Sequence, residues 1–140
     1  MSDFVVDAQT TLAWCFEDEI SARTDALLDE LAAGSNAHVP TLWAYEVANV
    51  LLCAERQRKP RATAAKSEAF LRRLAALPIQ VDPESTRRAH GRTVALARQH
   101  QLTAYDAAYL ELALRLGLPL ATSDKALTTA SKAAGVKLLL

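Results

Sequence analysis

Short apolar runs alternate along this chain with longer stretches in which apolar residues recur every three or four positions. Phe4-Val5-Val6 is the first run, and Leu12, Ala13 and Phe16 follow at helical spacing. The pattern predicts a buried strand turning into a helix, with Asp7 at the strand's C-terminal end. Glu17, Asp18 and Glu19 close that helix, and Ser21 caps a second one that runs through Leu27, Leu28 and Leu31 to Gly34. Ala37-His38-Val39-Pro40 reads as a brief second strand. Thr41 then caps a third helix, from Leu42 to about Glu55, with a buried stripe of Trp43, Val47, Val50, Leu51 and Ala54.

The second half repeats the alternation. A fourth helix spans Thr63 to Ala76, a third strand Pro78 to Val81, and a fifth helix starts at Pro83 and Glu84 and runs to about Gln99. Thr103 caps the next helix, which Gly117 ends. Leu118 to Thr122 form a fourth strand, Lys125 to about Ala134 a further helix, and Val136 to Leu140 a closing fifth strand. Most connections are too long for hairpins. The expected fold class is α/β, a sandwich around a mostly parallel sheet of about five strands, with residues 1–140 forming a single domain.

Composition narrows the picture by exclusion. With 51% hydrophobic and 23% charged residues the chain is neither disordered nor membrane-like in make-up, and no apolar run approaches a bilayer span. Met1-Ser2-Asp3-Phe4 lacks the basic start of a secretory signal, so a cytoplasmic location is expected. Sixteen basic and 16 acidic residues give a net charge of +0, so net charge implies no attraction to nucleic acid. Basic residues are nevertheless concentrated in Arg56, Arg58, Lys59 and Arg61, which read as a solvated face or as a contact for RNA or a partner. Cys15 and Cys53 are far apart in apolar helical contexts and suit reduced, buried thiols. His38, His90 and His100 lack the Ser or Cys partners of nucleophilic catalysis and read as structural or surface residues.

The acids carry the chemistry. Asp106 leads a helical stripe in which Leu110, Ala113 and Gly117 lie within about 40° of its direction. A carboxylate there requires a hydrogen bond, a cation or a metal, since burying a bare charge costs several kcal/mol. Thr103-x-x-Asp106 also has capping-box spacing, so a local role competes with a ligand role. Asp7 follows the first strand, Asp124 follows the fourth, and Glu46 lies at the border of its helix's apolar stripe. In open parallel sheets ligands bind beyond the carboxyl ends of strands, where these four acids can converge. Clustered carboxylates repel unless a cation holds them ionised, and oxygen-only donors favour Mg²⁺ or Mn²⁺. Each acid also has an ordinary reading as a helix cap or a first-turn dipole partner.

Four segments in series then resemble the PIN domain, in particular the VapC-type toxins of bacterial toxin–antitoxin pairs. They are Val5-Val6-Asp7, Pro40-Thr41-Leu42-Trp43-Ala44-Tyr45-Glu46-Val47-Ala48-Asn49, Leu102-Thr103-Ala104-Tyr105-Asp106-Ala107-Ala108-Tyr109 and Leu120-Ala121-Thr122-Ser123-Asp124. The resemblance implies a PIN-like sandwich and a metal-dependent endoribonuclease in which Asp7, Glu46, Asp106 and Asp124 hold Mg²⁺ or Mn²⁺. It implies a cognate antitoxin and a homodimer; Leu52 and Phe70, apolar residues on the third and fourth helices, are candidates for either interface, with ordinary core packing as their first reading. Thr122 matches the family's hydroxyl position two before the last Asp. Gln9 stands where the family usually has a small hydroxyl residue, with Thr10 adjacent. A catalytically silent PIN-like module that binds RNA or a protein partner is the competing reading.

Overall fold

The computed structural model describes residues 2–140, apart from the side chain of Glu17; Met1 lies outside the described residues. Four strands form one parallel sheet: β1 (Phe4–Val6), β2 (Ala37–Val39), β3 (Ile79–Val81) and β4 (Leu120–Ala121), in the order β3-β2-β1-β4. Phe4 pairs with Ala37 and Val5 with His38 on one side of β1, and Val5 pairs with Leu120 and Val6 with Ala121 on the other. Phe4, Val5 and Val6 are almost wholly buried, as a central parallel strand covered on both faces requires.

The fifth expected strand is reduced to one parallel bridge between Leu120 and Leu138. The physical reason lies in β4, which is two residues long and preceded by Pro119, a residue with no N–H to offer. Only Leu120 presents its N–H and C=O outward, and these bond Lys137 O and Leu139 N at 2.9 and 3.1 Å.

Eight α-helices complete the described fold: α1 (Ala8–Ala13), α2 (Ala22–Ala32), α3 (Leu42–Arg56), α4 (Ala64–Ala75), α5 (Ser85–Arg88), α6 (Val94–His100), α7 (Ala104–Leu116) and α8 (Lys125–Ala133). Ser21 and Thr63 cap α2 and α4 as expected, Ser21 in a reciprocal box with Thr24. Thr41 does not cap α3. Its backbone is already helical, and its hydroxyl faces those of Ser85 and Thr86 at 3.1 Å. The expected fifth helix is continuous but changes pitch, with a π turn over Ala89–Thr93 between α5 and α6.

The core joins β1, β2 and β4 to α7, in which every residue from Ala107 to Ala113 is buried. Within the expected stripe of α3, Trp43, Val47, Leu51 and Ala54 are buried, but Val50 is 39% exposed. Phe70 packs in the core, the first of its two readings, whereas Leu52 is 41% exposed. Both thiols are free; Cys15 is buried, but Cys53 is exposed because it lies off that stripe. His38 has a partner that the sequence did not reveal, Asp3 at 2.9 Å, which lowers the Asp3 carboxyl below its usual range. Among the described residues, no helix is long and apolar enough to cross a membrane.

Candidate functional site

The chain builds β1, β2 and β3 outward in one direction and then returns to lay β4 on the other side of β1. The order reverses between β1 and β4, and a crevice opens beyond the carboxyl ends of neighbouring parallel strands at such a point. Asp7 leaves β1 there, and Thr122 and Asp124 leave β4. A cleft of about 380 Å³ at this edge is lined by Asp7, Glu46, Asp106 and Asp124, with Gln9, Val50, Arg61 and Tyr109 among its other walls.

Two of the four acids are also helix caps. Asp7 is 5% exposed; its Oδ1 accepts from Thr10 N at 2.8 Å, closing the start of α1, and its Oδ2 accepts from the Thr122 hydroxyl at 2.6 Å. The Thr122 oxygen in turn accepts from Asp124 N at 3.1 Å, and Asp124 Oδ2 accepts from Leu127 N at 2.9 Å at the start of α8. One threonine thereby links the Asp7 carboxylate to the backbone of Asp124. Thr10 contributes its backbone; its hydroxyl lies near enough to lower the Asp7 carboxyl but is buried without a hydrogen bond.

Asp106 behaves differently. Thr103 caps α7 by accepting from Asp106 N at 3.1 Å, yet the Asp106 carboxylate makes no return bond and has no hydrogen-bond partner among the described residues. Glu46, on α3, accepts from Tyr109 of α7 at 2.5 Å. Tyr109 was missed by sequence reasoning, although it lies three residues after Asp106 and so on the same side of the helix.

The electrostatics follow from crowding. Burial pushes the carboxyl of Asp7 up despite its hydrogen bonds from Thr122 and Thr10, and the Asp124 charge adds to the rise. Burial likewise raises Glu46, against the Tyr109 hydrogen bond, with Asp106 and Asp7 contributing. Asp106 is raised by burial first and then by Asp124 and Asp7. Arg61 is the sole cation in the wall among the described residues. It is already committed, bonding Asp18 at 2.8 Å and Glu19 at 2.9 Å and lying 4.2 Å from the Phe16 ring centre. Arg56, Arg58 and Lys59, grouped with Arg61 by sequence, are exposed outside this wall.

Among the described residues, no three His, Cys, Asp or Glu side chains form a ready-made metal cage. The donor chemistry nevertheless fits a hydrated hard cation. Every candidate ligand is a carboxylate, Asp106 is unpartnered, and carboxylate oxygens that accept one hydrogen bond keep further lone pairs. Mg²⁺ retains several of its waters and needs only one or two direct carboxylates, so a closed protein cage is not required.

These features define a class: a parallel α/β sandwich with an acidic crevice at its strand-order reversal. The sequence matches the PIN domain over residues 4–133, and the chain belongs to that family. Its structure is similar to that of PAE2754 from Pyrobaculum aerophilum, with 26% identity, a TM-score of 0.67, and coverage of 99% of this chain and 92% of that one. It shares its fold with VapBC2 from Rickettsia felis, crystallised bound to a DNA fragment from their promoter, at 10% identity, TM-score 0.63 and coverage of 99% and 97%. The fold is shared also with FitAcB from Neisseria gonorrhoeae, at 19% identity, TM-score 0.59 and coverage of 99% and 96%. No curated protein matches the sequence.

Proposed function

We propose that the chain is a Mg²⁺- or Mn²⁺-dependent endoribonuclease acting as the toxin of a toxin–antitoxin pair. One observation carries this reading: Asp7, Glu46, Asp106 and Asp124 share one cleft in which Arg61, its only cation among the described residues, is paired with Glu19 of the same wall and with Asp18, so these four acids lack a neutralising charge. Asp7, Glu46, Asp106 and Asp124 would hold the metal. When bound, such a cation lowers the pKa of a water and neutralises charge gathering on a phosphodiester. Thr122 orients Asp7 and Asp124, and Tyr109 orients Glu46, so the acids present fixed oxygens to the cleft. PIN domains are typically nucleases, and the toxin role is supported by the four-segment resemblance to VapC-type toxins together with the fold shared with VapBC2. A cognate antitoxin and a homodimer belong to the same reading, and exposed Leu52, Leu71 and Val81 offer apolar surface for them.

The test is cleavage of RNA in Mn²⁺ by the wild type and by Asp106→Asn. The amide keeps the side chain's shape and leaves the Thr103 cap intact while removing one charge. Cleavage by the wild type alone is expected, and equal cleavage by both proteins rejects the reading. The silent binding module is favoured by the oxygens that Asp7, Glu46 and Asp124 already commit to internal hydrogen bonds. Calorimetric titration with Mn²⁺ separates the two, since absence of binding at millimolar metal selects the module.

A further inference from the structure

A second chamber adjoins the acidic cleft. It has a volume of about 470 Å³, within the range of about 300–1,000 Å³ usual for small-ligand sites. Gln9 and Glu19 line both spaces and form the partition between them. Behind the partition, Thr10 and Thr122 belong to the chamber wall and are the same two residues that bond Asp7. The chamber therefore begins one residue away from the carboxylates.

Its lining is neutral and rich in hydrogen-bonding groups. Ser21 and Thr24 are spent on the α2 capping box, and Thr122 on Asp7 and Asp124. Gln9, Ser123, Thr128 and Arg23, in contrast, make no side-chain hydrogen bond among the described residues. The Thr10 hydroxyl is buried and unpartnered, in a residue 2% exposed. That hydroxyl is sealed from the chamber and lies beside Asp7, so the groups free to bond a ligand there are those of Gln9, Ser123, Thr128 and Arg23.

We propose that this chamber receives one nucleobase of the RNA, next to the phosphodiester held at the acids, and that Gln9 reads the edge of that base. This rests on the ribonuclease reading. The chemistry selects a base over a phosphate: the unpaired carboxylates of the adjoining cleft repel an anion, Glu19 is already paired with Arg61, and Arg23 is the only cation in this wall among the described residues. It selects a base over a metal because the uncommitted groups are an amide and hydroxyls. A glutamine amide offers both a donor and an acceptor in one plane, which matches the paired donor and acceptor on a base edge. Hydroxyls on Ser123 and Thr128 adapt to whichever group remains.

Two measurements test the assignment on the full chain. In the first, a single-stranded RNA pool with a randomised window is cleaved in Mn²⁺ by the wild type, Gln9→Ala and Gln9→Glu, and the new ends are sequenced. The wild type should show a base preference at one position flanking the cut, and both variants should change it by about tenfold, with Mn²⁺ affinity unchanged in Gln9→Ala, which adds no charge to the cleft wall. Cleavage by the variants with an unaltered preference overturns the role of Gln9. In the second, adenosine, guanosine, cytidine and uridine are titrated separately at millimolar concentration, and the Gln9 side-chain amide and the Ser123 and Thr128 amides are followed by NMR. One nucleoside should shift them more than the others, and Thr128→Val should weaken that response. No shift with any nucleoside overturns the chamber as a base site whether or not RNA is cut. A selective shift without cleavage by the wild type instead rejects the ribonuclease reading and leaves a nucleoside site.

Discussion

Tyr109 donates its phenolic hydrogen to Glu46 across 2.5 Å, joining α7 to α3 at the wall of the acidic cleft. Tyr109 is 1% exposed, and burial together with the Glu46 charge pushes its own ionisation well above the usual range, so it remains a donor at any ordinary pH. The bond holds a half-buried carboxylate whose nearest charged neighbours, Asp106 and Asp7, both repel it.

Tyr109→Phe removes that bond with almost no change in volume. A hydrogen bond to a charged group is worth about 1.5–3 kcal/mol, and half-exposure of Glu46 places the expected loss of stability near the bottom of that range. Without the donor the Glu46 carboxyl rises further, so Mn²⁺ binding near neutral pH should weaken. Urea denaturation and calorimetry check the two effects; unchanged Mn²⁺ affinity in the variant means that Glu46 does not hold the ion.

Thr122 serves Asp7 as a donor and Asp124 N as an acceptor through one oxygen. Thr122→Val leaves Asp7 buried with one partner fewer and Asp124 N unpaired, at an expected cost of about 1–3 kcal/mol. Thr122→Ser keeps the hydroxyl and should recover most of the loss. Equal stability of the Val and Ser variants in urea would show that packing, not the hydroxyl, matters here.

The raised carboxyls of Asp7, Glu46 and Asp106 set a pH dependence with a definite sign. Each binds its proton more tightly folded than unfolded, so across the interval from the ordinary values of 3.8 and 4.5 up to the raised ones, stability falls as pH rises. Metal-free protein should therefore melt at a higher temperature at the acid end of that window than at pH 7. Asp106→Asn should flatten the trend and stabilise the metal-free protein at pH 7, by about 0.5–1 kcal/mol after allowing for solvent screening. Added Mn²⁺ should stabilise the wild type more at pH 7 than at pH 5, since it competes with protons. Calorimetric melting with and without a chelator measures all three effects, and an identical pH profile for Asp106→Asn counts against charge crowding at the cleft.

Away from the cleft, Arg115 bonds Glu111 at 2.8 Å and Asp82 at 2.6 Å, tying α7 to the turn after β3. Glu111 is 2% exposed, so Arg115→Met strands a buried charge at a cost of about 3–5 kcal/mol. Adding Glu111→Gln should restore part of that stability by removing the stranded charge. Chemical denaturation of the single and double variants decides it; a double variant less stable than Arg115→Met means that Glu111 is held by contacts other than this ion pair.

The order of strands and helices is legible in the residues because burial leaves a pattern on them: three apolar residues in a row for β1, and every third or fourth for α3. The caps Ser21, Thr63 and Thr103 are legible too, since a cap is a local bond over three residues. Asp7, Glu46, Asp106 and Asp124 stood out as acids at strand ends or stripe borders, each with an ordinary local explanation. That the four share one cleft depends on β4 lying beside β1 rather than beyond β3, which no local pattern encodes. The same long-range arrangement pairs Tyr109 with Glu46 across 63 positions and Thr122 with Asp7 across 115, binds Arg61 to Asp18 and Glu19, and reduces the last strand to a single bridge. Local sequence specifies elements because their bonds close within a few residues; the site is made of bonds that close only when distant segments pack.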